Sequence, residues 1–217
     1  MDNKQHGKNL TEAATTQSIA EYTMEKYKWT KTVYDSIDWE AIKQGRKGYS
    51  IRDNIRITKL MFDWVNTGHQ KAKMNQEKCY PCCGAEEETL LRLFQCRNPQ
   101  MEKTRMESIT LMEKILQSTN VPKQVAEPFV DMLRSLSADK DFTMPCHTCP
   151  MVAEAIEDQQ QIGKHLMLRG FLSSKWHKAI EHHTKMQTIS KSEQLISSLW
   201  KTYFFPIWNQ CNYLLHQ

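Results

Sequence analysis

Glycine and proline are scarce in this chain, seven of each in 217 residues. A strand-rich sandwich or barrel needs many tight turns, and turns draw heavily on both residues, so an all-β architecture is disfavoured from the outset. Long apolar runs are missing as well. The longest, such as LMFDWV and YFFPIW, are a few residues each, against the roughly 20 needed to cross a bilayer. The opening residues MDNKQHGKNLTEAATTQ are polar and lack the apolar stretch of a secretory signal, so a membrane or exported protein is not expected. Catalytic signatures are also missing. No Asp-Asp pair is present for two-metal chemistry, no G-x-x-x-x-G-K-S/T phosphate loop, no G-x-S-x-G elbow and no H-E-x-x-H helix. A non-catalytic protein without a small-molecule substrate is the expectation.

What is present is enough for a core. Hydrophobic residues make up 40% of the chain, with six Trp and twelve Met, while 25% charged residues and a mean hydropathy of −0.65 give it a wet surface. Seven cysteines, an odd number, in a chain without an export signal point to a reducing compartment, nuclear or cytoplasmic, where thiols stay free or hold metal. The net charge is +4 and unevenly spread. Between positions 43 and 73 stand Lys43, Arg46, Lys47, Arg52, Arg56, Lys59, Lys71 and Lys73 against Asp53 and Asp63. Such a cluster suits phosphates, each contact releasing counterions; equally, it describes a solvated helix face.

Helical periodicity dominates the pattern. A polar N-terminal region, 1–30, is expected to be disordered over its first ten residues and helical from Thr11, with Ile19, Tyr22, Met24, Tyr27 and Trp29 as a weak apolar stripe. A second region, 31–118, holds a short helix at SIDWEAIK, capped by Asp35 or Ser36 and closed by Gly45. A strong helix follows in KGYSIRDNIRITKLMFDWVNTG and runs to Gly68. Arg52, Arg56 and Lys59 recur on one face of that helix, with Ile57, Met61, Trp64 and Val65 facing elsewhere. A short helix in EEETLLRLFQC, acidic at its start, and one at 99–118 close the region. The third region, 119–217, begins with a helix at 123–137 and a loop containing Cys146 and Cys149. Two helices hinged near Gly170 follow, the second capped by Ser173 or Ser174, and then a closing helix that Pro206 kinks or splits. In IEHHTK, His182 and His183 are neighbours and should point apart on the helix. The expected architecture is an all-α irregular bundle with one cysteine-bearing loop.

That loop, KCYPCCGAEEETLLRLFQC, carries the sharpest chemical signal. Cys79 and Cys82 have the C-x2-C spacing that presents two thiolates to zinc, Cys83 is a rival for the second place, and Gly84 suits the turn. Cys96 ends the following helix and could fold back onto the loop. Its i−4 neighbour, which would share its helix face, is Arg92, a cation that cannot ligate metal. The missing fourth ligand would be His69 or, across the fold, Cys146 and Cys149. The alternative is a set of free thiols.

The stretch RITKLMFDWVNTGHQKAKMNQEKCYPCCGAEEETLLRLFQCRNPQM resembles the zinc-binding segment that follows the reverse transcriptase domain in non-LTR retroelement polyproteins, typically C-P-x-C-G, an acidic stretch, then E-T-x-x-H-L-x-x-C. Cys83-Gly84, Glu88-Thr89, Leu93 and Cys96 match it, while Tyr80 is an insertion and Arg92 stands at the histidine position. Downstream, EDQQQIGKHLMLRGFLSSKW is similar to the family's Q-x-x-I-G-x6-G-x-x-S-x-x-W pattern, and WNQCNYLLH to its W-x-x-R-N-x-x-x-H ending, with Cys211 replacing the arginine. The likeness covers residues 50–217. It implies a stand-alone, retroelement-derived accessory module. In that reading a zinc-knuckle-like loop (Cys79, Cys82 or Cys83, Cys96, with His69) orders a basic surface of Arg46, Lys47, Arg52, Arg56, Lys59, Lys71 and Lys73 that contacts RNA or DNA. The contrasting expectation is a metal-free helical scaffold for protein partners, or a remnant without function. Trp176, Trp200 and Trp208 are expected in the core rather than in a site.

Overall fold

The structure is a computed structural model that describes residues 17–65, 89–184 and 192–215. Among these residues every regular element is helical, and extended pairing is confined to one antiparallel bridge between Ile37 and Ser173. The all-α class expected from the composition is the one observed. In chain order the elements are α1 (17–27), α2 (Lys31–Ser36), α3 (Trp39–Gly45), α4 (Ile51–Met61), α5 (Leu90–Gln95), α6 (Pro99–Ser118), α7 (Lys123–Ser137), α8 (Pro150–Ile162), a 3-10 helix (Lys164–Arg169), α9 (Lys175–His183), α10 (Ser192–Ser198), a π-helical turn (Leu199–Phe204) and α11 (Phe205–Leu215). α9 lies on α8, α10 on α3, and α6 packs against both α7 and α11. A single cluster of buried side chains runs from Trp29 to Cys211. The first ten residues, expected to be disordered, lie outside the described residues.

Local chemistry sets most boundaries. Asn98 caps α6, accepting from the Gln100 N–H at 2.9 Å, and Pro99 takes the first helical position where its missing N–H costs nothing. The helix read at SIDWEAIK ends at Gly45 as expected but starts later, at Trp39. Ser36 ends α2, and the cap of α3 is Asp38, whose carboxylate accepts from Ala41 N at 2.9 Å. The strong basic helix also stops early, at Met61 instead of Gly68. Asp63 adopts a left-handed conformation (φ 54°), and its N–H reaches Leu60 O at 3.2 Å while Trp64 N–H reaches Lys59 O at 2.7 Å. This paired arrangement is a Schellman ending, with an aspartate in the place usually held by glycine.

The middle of the fold is organised by the segment between α8 and α9. The Gln159 side chain is wholly buried; its amide donates to Phe171 O at 3.0 Å and its oxygen accepts from Ser173 N at 3.1 Å. Ser173 Oγ in turn accepts from Lys175 N at 3.0 Å and opens α9. Three bonds tie Trp29 and the α2–α3 junction to this segment. Trp29 Nε1 donates to Ile162 O at 2.8 Å, Asp38 N to Leu172 O at 2.9 Å, and Ser174 N to Ser36 O at 2.7 Å. Gly170 (φ 91°) lies flat against the buried Trp200 indole, so close that an added Cβ would stand 2.7 Å from its Cζ2. Trp176 and Trp200 are fully buried and Trp208 packs on the core, as expected.

Pro206 neither breaks nor sharply divides the final helix. Proline has no N–H for the carbonyl four residues back, and its ring crowds that carbonyl. The preceding turn widens to π geometry, with the Phe205 N–H donating to Trp200 O five residues earlier. This turn carries Trp200, Tyr203 and Phe204 into the core. Tyr203 stacks on Phe94 (centroids 5.7 Å apart, 6° between planes) and bonds its hydroxyl to Ser137. Burial pushes its pKa up to about 12.

Replacing Gly170 by Ala combines a left-handed backbone with a clash against a rigid indole. The expected loss of stability is about 3 kcal/mol by urea unfolding. Gly48→Ala, where nothing lies within 4 Å of the added methyl, should stay within about 0.5 kcal/mol of the parent. Equal effects at the two positions would refute this account of Gly170.

Candidate nucleic-acid interface

The basic residues singled out by sequence divide into two groups once the fold is in place. Arg46 is half-buried and turned onto α4. Its Nε donates to Asn54 Oδ1 at 3.0 Å, and its Nη2 donates to Asn54 O at 3.0 Å and Thr58 Oγ1 at 2.7 Å. Asn54 answers with its own amide, donating to Arg46 O at 3.3 Å and Tyr49 O at 3.1 Å. The guanidinium thus clamps the α3–α4 turn onto α4, and burial moves its pKa down, although an arginine stays charged at any working pH. Assigning Arg46 to the phosphate-binding surface is corrected on this ground: three of its donated bonds are spent inside the fold.

The other cations remain at the surface. Lys47, Arg52 and Lys59 are exposed, and no acidic side chain lies within ion-pair distance of them among the described residues. Arg56 is shared with Asp53, Nη1 to Oδ1 at 3.3 Å. Ser50 starts α4 by accepting from Asp53 N at 3.2 Å, which orients the helix so that Ile57, Leu60 and Met61 are buried. Ile51 and Ile55 are left on the outside beside the cations, at 83% and 53% exposure.

Trp64 is where the sequence expectation fails most usefully. Expected among the residues facing away from the charged side, together with Ile57, Met61 and Val65, it is instead 51% exposed, while those three are buried. The Schellman ending reverses the chain at Asp63 and swings Trp64 back beside Lys59. There it joins Phe62 and Tyr22 in an aromatic cluster: Phe62–Trp64 centroids are 5.4 Å apart, Tyr22–Phe62 6.0 Å and Tyr22–Trp64 6.2 Å. Lys26 Nζ sits 5.9 Å from the Tyr22 ring. α1 is held against the end of α4 by Tyr27, whose hydroxyl donates to Met61 O and accepts from Arg169 Nη1 at 3.0 Å. Arg169 also reaches Asp63 at 3.8 Å. Burial raises the Tyr27 pKa, against the opposing pull of Arg169, so the phenol stays a donor. Nothing in local sequence signals that Tyr22 and Trp64 meet, since 42 positions separate them; the F-x-W after a basic helix is the nearest cue.

Of the expected metal ligands, Cys79, Cys82, Cys83 and His69 lie outside the described residues, as do Lys71 and Lys73. Cys96 is described: it is buried, and the buried Arg105 donates to its carbonyl. The expectation that positions 92 and 96 share a face is corrected. α5 ends at Gln95 and Cys96 is an extended cap (ψ 127°), so Arg92 is exposed while Cys96 turns inward. Cys146 and Cys149 sit at the start of α8, and among the described residues no three His, Cys, Asp or Glu side chains converge to hold a metal. His182 and His183 do not point apart, their rings meeting edge to face at 5.1 Å. No protein-family model, curated protein or solved structure matches the chain. No helix of the described residues is long and apolar enough to cross a membrane.

Arg46→Ala should cost about 2 kcal/mol in urea unfolding, since Asn54 and Thr58 lose a charged donor. Arg46→Lys should recover little of it, because one ammonium cannot reproduce the guanidinium fork. Arg52→Ala should be neutral within about 0.5 kcal/mol. A neutral Arg46→Ala would return that residue to the surface set.

Proposed function

We propose that this chain is a non-catalytic, retroelement-derived module that binds single-stranded RNA or DNA along α4. Lys47, Arg52 and Lys59 meet backbone phosphates, Arg56 joins them when it turns from Asp53, and Trp64 and Tyr22 offer faces on which bases stack. The observation that carries this reading is a helix with exposed cations that have no acidic partner among the described residues, ending at Lys59 in an exposed aromatic cluster. That combination is the one that sequence-tolerant single-strand binders use: a cationic track for the backbone and π surfaces that accept any base. Arg52 and Lys59 stand about 10 Å apart along the helix, so one strand can engage both. The resemblance of the cysteine segment to the region downstream of retroelement reverse transcriptases supports the same class of ligand. Exposed Ile51 and Ile55 favour a second reading, a scaffold for a protein partner.

Fluorescence anisotropy with a labelled single-stranded oligonucleotide over a salt series tests the proposal. With about three phosphate contacts, log K should fall against log salt with a slope near −2. Arg52→Ala with Lys59→Ala should flatten that slope by about 1.4, at roughly 0.7 per lost contact. Trp64→Ala should weaken binding by about 1–3 kcal/mol without changing the slope. An affinity indifferent to salt would sink the nucleic-acid reading and leave the protein scaffold.

The proposal extends to zinc, held by Cys79, Cys82 or Cys83, and Cys96, with His69 as fourth ligand. Thiolate and imidazole are the donor set zinc prefers, and such a shell contributes directly to folding. Metal analysis of purified protein should find one zinc per chain, and Cys96→Ser should lower both the zinc content and the Tm. Protein that contains no zinc and melts identically with and without chelator would establish the loop as metal-free.

A further inference from the structure

Away from α4, a cleft of about 500 Å³ opens between the exposed side of α5, the first half of α6 and the end of α7, and four arginines line it: Arg92, Arg97, Arg105 and Arg134. Arg134 is already compensated, by Glu113 and by Asp131 at 2.7 Å. The others are not. Arg92 and Arg97 are exposed, and among the described residues no carboxylate oxygen lies within 4 Å of either. Arg105 is the informative one. It is only 7% exposed, yet its partner is the neutral carbonyl of Cys96, bonded through a single N–H, and among the described residues no carboxylate comes within ion-pair distance.

A guanidinium has five donors and a permanent charge, and burying one without a counter-charge is costly. Arg105 lines an open cleft together with two further guanidiniums that have no acidic partner among the described residues. Glu102 and Asp139 also line the cleft. Asp139 accepts from Gln95 at 3.1 Å, and neither carboxylate is paired with the arginines. Convergent guanidinium forks are the arrangement that matches the several oxygens of a phosphate. Met106 and Ile109 supply an apolar wall, and the volume suits a ligand of nucleotide size.

We infer that this cleft is a phosphate-binding site, with Arg92, Arg97 and Arg105 as the recognising groups. Arg92, which stands where the resembling segments carry a histidine, has its role here in anion recognition. The site is separate from α4 and does not depend on the single-strand reading. Its ligand carries phosphate, either as a free polyphosphate compound or as part of a nucleic-acid strand.

Calorimetric titration of the full chain with sodium tripolyphosphate, chloride being adjusted to hold ionic strength constant, tests this. Saturable binding is expected, and Arg92→Ala with Arg97→Ala should weaken it by about tenfold or more, as the loss of two charged donors implies. Both residues are exposed, so the fold should survive, and circular dichroism checks that it does. Arg52→Ala with Lys59→Ala should leave tripolyphosphate affinity unchanged, which separates this site from the α4 surface. Competition by a single-stranded oligonucleotide would identify the strand as the source of phosphate; binding of tripolyphosphate unaffected by the oligonucleotide would identify a free compound. Absence of saturable binding, or an affinity equal in parent and Arg92/Arg97 variant, overturns the inference.

Discussion

The buried amide of Gln159 is the interaction on which the rest of the fold depends. It satisfies a carbonyl and an N–H of the turn between the 3-10 helix and α9. That turn could not otherwise pass through the interior, because each unpaired backbone group buried there would cost about 1–3 kcal/mol. Held in place, the turn becomes the hub to which α1, the α2–α3 junction and the π-helical turn are fastened through Ile162, Leu172, Ser174 and Gly170. The positions of the Q-x-x-I-G-x6-G-x-x-S-x-x-W pattern are the parts of this hub. Gln159 braces the turn, Gly163 and Gly170 supply positive φ, Ser173 starts α9, and Trp176 fills the core. In this chain the pattern is therefore architectural.

The hub also poses the candidate interface. Arg169, at the end of the 3-10 helix, links the Tyr27 hydroxyl to Asp63, and Tyr27 reaches Met61. These contacts fix the end of α4 against α1. With Asp63 held in its left-handed conformation, Trp64 is directed outward into contact with Tyr22 and Phe62. Internal polar bonds thus decide that an exposed aromatic cluster stands at the Lys59 end of α4.

The arginines and lysines of this chain have divided fates. Arg46, half-buried, and Arg105, buried, bond neutral oxygens, of Asn54 and Thr58 in one case and of Cys96 in the other. Lys47, Arg52, Lys59, Arg92 and Arg97 stay in solvent. Charge counting cannot separate these groups, because the difference lies in whether a side-chain oxygen or a cap carbonyl happens to face the guanidinium. The difference matters for binding: an arginine that is internally satisfied has little to offer a phosphate, whereas one buried without a counter-charge has most to gain.

Sequence by itself determined the helical class, the extents of α6 and α7, the burial of Trp176 and Trp200, and the exposure of Arg52 and Lys59. These follow from periodicity and capping, which act within a few residues. It misjudged the end of α4, the start of α3, and the face of Trp64. Bonds within a few residues, which periodicity does not register, set these features: the Asp38 carboxylate accepts from Ala41 N, and the Asp63 and Trp64 backbone N–H groups donate to the Leu60 and Lys59 carbonyls. Only the tertiary structure decided that Tyr22 meets Trp64, that Arg46 is a clamp, and that Arg92 and Arg105, thirteen positions apart, share a cleft. Those pairings rest on contacts between separate helices, set by where Gln159 and Arg169 anchor the chain, and no spacing along the sequence encodes them.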